Sequence, residues 1–176
     1  MICTPRKIAH LLLLLPLLST AWAQRRHDPL NPLEADQLRD AAQEPSERIK
    51  LYIEFSRARL TSLEKMRADP KVTDRAGQTH DRLQNFLDVY DELNDNIDVF
   101  VGRKADLRKP LKTVIEADTE FQARLRALKS SIESSREETS QYEFLLNSLL
   151  DTVDSGAQDH RQLLREQEEA AKHKKK

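Results

Sequence analysis

Cysteine is nearly absent from this chain, whose one cysteine, Cys3, lies at the N-terminal end. With no second thiol the chain forms no internal disulfide, and both cysteine-rich zinc sites and the CxxCH attachment of haem are excluded. Cys3 also lies in a segment that we expect to be removed from the mature protein. The mature domain must therefore be stabilised by its hydrophobic core without covalent cross-links.

Glycine and aromatic residues are also scarce, with three glycines in 176 residues and an aromatic content of 5%. No run of alternating apolar and polar residues bounded by turn residues occurs, which is the pattern typical of strands. Charged residues make up 34% of the chain, and this composition with few helix-breaking glycines favours helices. The sequence therefore predicts an all-α fold.

Neither sign of charge dominates, because 29 lysines and arginines stand against 30 aspartates and glutamates. Nucleic-acid binding depends on an excess of cations on one face, so the balance predicts that nucleic acid is not a partner. The C-terminal residues 171–176 include four lysines, but nearby glutamates oppose their charge. We expect this segment to be a disordered, solvated basic tail.

The N-terminal 23 residues have the three parts of a secretory signal peptide. Arg6-Lys7 forms a positive region, Ile8–Leu18 is apolar, and Ala21 and Ala23 have the small-x-small spacing of a cleavage site. The alternative is an uncleaved anchor, but the apolar run is about half of the roughly 20 residues that a spanning helix needs. We therefore predict cleavage before Gln24, a secreted or periplasmic mature protein, and no transmembrane span after signal removal.

The remainder of the chain divides into a lead-in and a helical region. Residues 24–44 contain two prolines early on and predict a mobile lead-in with a short helix over Leu33–Ala42. Prolines and capping residues then mark the helix ends in the bundle region, 45–170. The first long helix is predicted from Pro45 or Ser46 to Asp69, and the second from Thr73 or Asp74 to Gly102.

The third helical region, after Pro110, carries an apolar heptad pattern from Leu111 to Val153. The pattern turns polar at Ser135 and Thr139, where two serines also have the spacing of a capping box. We predict a break there, which gives an antiparallel four-helix bundle with up-down-up-down topology. The alternative is one helix of about 60 residues, which would make the protein an extended helical hairpin or coiled coil that forms homo-oligomers.

No established metal or cofactor motif occurs in the chain. HExxH and inward Glu-x-x-His pairs are absent, and the mature histidines are scattered at His27, His80, His160 and His173. The sequence therefore predicts no metal and no bound cofactor. Met66 and His80, on either side of the turn between the first two long helices, are the one candidate pair for non-covalent haem.

Catalytic motifs are also absent. There is no GxSxG and no mature cysteine, and the abundant carboxylates are expected on solvated helix faces. Asp118 differs, because it occupies a core position of the heptad pattern. We expect it at the margin of the bundle or paired with a lysine or arginine, with a functional buried acid as the alternative. The sequence predicts that the protein is not an enzyme.

The second long helix has an apolar face wider than one neighbour would cover. We predict that four residues of this face, Phe86, Val89, Leu93 and Phe100, form an interaction surface, unless the short Leu33–Ala42 helix covers them. The expected function is a non-enzymatic, exported helical bundle that acts through a protein or cell-envelope component. The alternative is a bundle that binds a cofactor or small ligand.

Overall fold

The computed structural model describes residues 28–135 and 140–173, which form five α-helices. This described part of the chain contains no strand, and the all-α prediction is confirmed. A short helix precedes four long ones that pack as a bundle. Their bounds are α1 Pro32–Asp40, α2 Pro45–Ala68, α3 Arg75–Gly102, α4 Arg108–Ser135 and α5 Glu143–His173.

The helix ends follow from local chemistry in the sequence. Pro45 lies in the first turn of α2, where the missing N–H costs nothing. Asp74 caps α3, since its Oδ1 accepts from the backbone N–H of Gly77 at 3.0 Å. Beyond the end of α3, Lys104 adopts a left-handed conformation with φ of 58°, a common way to terminate a helix. These ends agree with those predicted from the sequence.

The short helix α1 is confirmed, although it begins and ends slightly earlier than predicted. Asn31 and Glu34 form a capping box at its start. The described residues of this segment pack on α2. Two contacts hold them there: Arg59 forms an ion pair with Glu34 at 2.6 Å, and Arg48 donates to the carbonyl of Leu38 at 2.6 Å.

The four long helices alternate in direction, but they do not follow one another around the bundle. Cross-helix pairs run in the same order along α2 and α4, with Arg57 bonded to Glu120 and Glu64 to Arg124, so these neighbours are parallel. Within the described ranges the backbones of α3 and α4 do not approach each other. The order around the bundle is therefore α2, α3, α5, α4, and the α3–α4 connection crosses a diagonal.

The predicted break in the third helical region is confirmed. Helix α4 ends at Ser135 and α5 begins at Glu143, so one continuous 60-residue helix is not the structure of this chain. The two helices pack against each other. Helix α5 continues to His173, and Ala157 and His160 are buried on it. Residues 174–176 of the predicted basic tail lie outside the described residues.

The core lies along the bundle axis and is built from the apolar stripes of all four long helices. Aromatic rings dominate its centre: Phe86 stacks on Tyr90 with centroids 5.9 Å apart, and Phe121 meets Phe86 edge-on at 5.3 Å. Among the described residues no helix is long and apolar enough to span a membrane. One charged residue, Asp118, lies within this aromatic centre and is fully buried.

Candidate functional site

A hydrogen-bonded group of three polar residues lies in the middle of the core, one from each of three helices. The hydroxyl of Tyr90 on α3 donates to Asp118 Oδ1 on α4 at 2.9 Å. His160 on α5 approaches the other oxygen, with 2.9 Å between Nδ1 and Oδ2. A buried carboxylate is costly unless it accepts hydrogen bonds, and here each oxygen has one partner. We call Tyr90, Asp118 and His160 the core triad.

The predicted surroundings of Asp118 were wrong in two respects. The residue lies at the centre of the bundle and not at its margin, and its partners are a tyrosine and a histidine where a lysine or arginine was expected. The heptad pattern placed Asp118 inside the core but carried no information about residues on other helices. The two partners come from positions 28 residues before it and 42 residues after it.

Gly156 explains how Tyr90 reaches this position. A Cβ at residue 156 would lie 2.6 Å from the hydroxyl oxygen of Tyr90, which is closer than van der Waals contact allows. The absence of a side chain on α5 therefore gives space for the tyrosine hydroxyl beside the helix backbone. Burial raises the pKa of Tyr90, and the charge of Asp118 raises it further, so the hydroxyl remains a donor.

His160 also forms part of the wall of a cleft between α3 and α5 with a volume of about 650 Å³. The side of α5 that faces this space has small residues, which leave a gap where larger side chains would close it. The α3 wall includes the charged residue Asp98. The residues of α5 that line the cleft are Ser148, Asp151, Thr152, Ser155, Gly156, Asp159, His160 and Leu163.

The polar groups of the cleft include three carboxylates and the ring of His160. Because a carboxylate oxygen only accepts, Nδ1 of His160 carries a proton in its bond to Asp118, and Nε2 is the ring nitrogen left for a further partner. Nε2 has no hydrogen-bond partner within the described part of the chain. Asn94 Oδ1 is buried and also lacks a protein partner there. Lysine and arginine do not occur among the described lining residues.

Asn94 also borders a second cleft, of about 760 Å³, which continues the acidic surface along α3. Its lining includes Asp88, Asp91, Glu92 and Asp95. Loss of hydration raises the pKa of Asp91, and the three neighbouring carboxylates raise it further. This surface therefore has a negative potential that extends on both sides of Asn94.

The residues predicted for haem do not form part of these clefts. Met66 is buried in the core, where it packs as an ordinary apolar residue. The side chain of His80 is 44% exposed and lies 3.4 Å from its neighbour Asp81. Neither residue lines the two clefts described above. Within the described ranges no group of three or more potential ligand residues is arranged to hold a metal ion.

The four residues predicted as an interaction surface lie in the core. Their exposure is between 0% and 3%, so they do not present a patch to a partner. The other long helices cover them, as the contact of Phe86 with Phe121 of α4 shows, whereas α1 packs on α2. The predicted groove is therefore corrected to core, and the four residues are Phe86, Val89, Leu93 and Phe100.

Sequence reasoning missed His160, although a signal for it was present. Continuing the heptad steps of three and four beyond Val153 reaches Gly156, His160 and Leu163 in turn. The high charge of the surrounding segment concealed this continuation. Nothing in the sequence indicated that the hydroxyl of Tyr90 would meet Asp118.

Comparisons with known protein families, curated proteins and solved structures find no match for this chain. The functional argument therefore depends on the site itself, which consists of the core triad and the cleft between α3 and α5. The predicted cleavage residues Ala21, Ala23 and Gln24 lie outside the described residues.

Proposed function

We propose that this chain is a non-enzymatic binding protein that holds a small molecule in the cleft between α3 and α5. The observation that carries the proposal is His160, which is 5% exposed, is held by Asp118, and lines the cleft with its second ring nitrogen unpartnered. This proposal selects the small-ligand alternative that the sequence left open.

The geometry of the core triad favours binding over a purely structural role. A structural polar network satisfies its members internally, because an unpaired buried polar atom is costly. Here Tyr90 and Asp118 are paired, but the network ends at a cleft, where Nε2 of His160 has no partner among the described residues. A histidine oriented by a carboxylate is a common way to fix one ring nitrogen toward a bound group.

The expected cellular setting follows from the signal peptide and stays a prediction. In this proposal the mature protein binds its ligand in a secreted or periplasmic location. Contact with a protein or envelope component, and formation of a homo-oligomer, also stay predictions. The burial of Phe86 and Phe100 removes the surface on which the partner hypothesis depended.

The proposal is tested by NMR observation of the histidine rings in purified protein. A panel of primary amines, carboxylic acids and polyols is titrated, and the ring signals of His160 are compared with those of the half-exposed His80, which does not line the cleft. We expect at least one compound class to shift His160 saturably and leave His80 unchanged. If every class leaves His160 unmoved, or moves both rings alike, the cleft is not a ligand site.

A further inference from the structure

We propose that the ligand of the α3–α5 cleft is an organic cation with primary ammonium groups, of the linear diamine or polyamine class. This inference rests on the proposed function and names the chemistry that the site would recognise. It combines three observations. The first is the hydrogen bonding of the inner residues of the cleft, His160 and Thr152, which we call its floor. The second is the charge of the exposed residues at its edges, Asp98, Asp151 and Asp159, which we call its rim, and the third is the continuation of the cleft along α3.

The floor of the cleft requires a ligand that donates hydrogen bonds. In the tautomer that donates Nδ1–H to Asp118 and carries no second proton, Nε2 of His160 is a hydrogen-bond acceptor. The hydroxyl of Thr152 already donates to the carbonyl of Ser148 at 2.9 Å, so its oxygen is left to accept. A primary ammonium has three donors and no acceptor, which matches these groups.

The rim of the cleft requires a positive charge. Asp98 on α3 and Asp151 and Asp159 on α5 are exposed at the edges of the space. Arg161, which follows His160, donates to the carbonyl of Ala157 and is not among the lining residues. A carboxylate ligand would meet three like charges here, whereas a cation would be attracted by all three.

Acidic residues alone do not make a site, but His160 supplies an independent observation. Its side chain is 6% exposed, its ring is fixed by Asp118 at 2.9 Å, and it lines the cleft with one nitrogen unpartnered. The carboxylates at the edges of the cleft therefore lie around an imidazole nitrogen whose position is fixed by Asp118. This arrangement distinguishes the cleft from a solvated acidic helix face.

The length of the negative surface indicates more than one ammonium group. The two clefts adjoin at Asn94, and the second has Asp91 on the same helix as Asp98 of the first. Seven residues of α-helix separate these two carboxylates by about 10 Å along the axis. A flexible aliphatic chain with amines at both ends fits that separation better than a compact cation.

The test uses calorimetric titration of the purified protein with spermidine and putrescine, together with the His160 ring signals. Two compounds of similar chain length are the controls, namely uncharged butane-1,4-diol and anionic succinate. We expect the amines to bind and shift His160, and the two controls to do neither. Binding of the diol or succinate with a His160 shift, without amine binding, would overturn the cationic ligand and leave the ligand site intact.

Two variant proteins distinguish binding of spermidine in the cleft from general attraction of a cation to a negatively charged protein. Replacing two rim acids together, Asp98→Asn with Asp159→Asn, should weaken spermidine binding about 5–10-fold. Asp154→Asn removes a charge from the same helix outside the cleft, where Asp154 pairs with Arg126, and should change binding less than about 2-fold. Equal losses in the two proteins, or full displacement of spermidine by Mg²⁺ at matched ionic strength, would overturn the proposal.

Discussion

At the scale of single residues, Asp118 shows how strongly pairing changes the effect of a buried charge. The sequence alone predicted that Asp118→Leu would be neutral or stabilising if the residue had only a marginal structural role. The structure gives the opposite expectation, because leucine would leave the Tyr90 hydroxyl and His160 Nδ1 buried without an acceptor. We expect Asp118→Leu to lower the free energy of unfolding by about 2–4 kcal/mol.

Urea denaturation followed by circular dichroism measures this change. Tyr90→Phe is the matched comparison, since it removes one hydrogen bond to Asp118 and keeps the ring, and it should cost about 1 kcal/mol. A stabilised leucine variant would show that the contacts of the core triad contribute less than the desolvation of the carboxylate costs.

Gly156 is a second residue whose effect the structure defines. A methyl group there would collide with the Tyr90 hydroxyl, so Gly156→Ala should displace the ring from Asp118 and destabilise the protein by about 1–3 kcal/mol. Gly102→Ala is the control, because a Cβ at that helical position meets nothing within 4 Å. It should be neutral or stabilise the protein by up to about 1 kcal/mol. Similar midpoints in thermal denaturation for the two variants would contradict this account.

Tyr90 should also make stability depend on alkaline pH. Burial and then the charge of Asp118 raise its pKa in the folded protein, while in the unfolded chain the tyrosine loses its proton near pH 10. The folded state therefore binds more protons above about pH 10, and stability falls as pH rises, by up to about 1.4 kcal/mol per pH unit. Urea titrations between about pH 9 and about pH 11 should show a shallower decline for Tyr90→Phe. Parallel declines would contradict the assignment.

The candidate site was only partly predictable from the sequence, for a physical reason. A heptad pattern reports which side of its own helix a residue occupies, and in this way it placed Asp118 inside the bundle. The contacts of the core triad depend on the relative rotation of three helices and on the space left by Gly156. Those quantities arise from packing among residues far apart in sequence, so the pairing and the cleft appear only in the structure.

At the scale of helices, the positions of the ends were the most predictable feature. The start of a helix depends on a few neighbouring residues, such as the capping residue Asp74 or the first-turn proline Pro45. Helices α3 and α2 begin at the positions that these two residues predicted. The order of helices around the bundle was not predictable in the same way. It depends on how the side chains of non-adjacent helices fit together, as in the bonds of Arg57 with Glu120 across α2 and α4.

The connection between α4 and α5 leads to a prediction at this scale. A Gly-Ser-Gly insertion after Ser135 extends the connection between two separate helices and should cost less than about 1 kcal/mol, because loop closure changes slowly with length. The same insertion after Ala123 would rotate the rest of α4 by about 300° and move Leu125 off the core face. That control should cost more than about 3 kcal/mol. Denaturant titration compares them, and equal losses would contradict a loop at this position.

At the scale of the whole molecule, the two parallel helix pairs differ in how their contact is filled. Between α2 and α4, Arg57 forms an ion pair with Glu120, and Arg124 forms one with Glu64. These long side chains cover the contact between the two helices. Between α3 and α5, the small residues of α5 leave the cleft open above His160. The contact between α2 and α4 is therefore covered by side chains, whereas the contact between α3 and α5 leaves a cleft that is accessible from outside.

Processing is the prediction that concerns the whole chain. The apolar run Ile8–Leu18 is too short to span a bilayer, and the Ala21-x-Ala23 spacing matches the cleavage site of a signal peptidase. Protein recovered from the secreted or periplasmic fraction of an expressing host should have an intact mass that begins at Gln24. A variant with leucine at both alanine positions, Ala21→Leu with Ala23→Leu, is the control and should keep the leader, since the peptidase requires small residues there. A wild-type protein that keeps residues 1–23 would instead indicate an uncleaved membrane anchor.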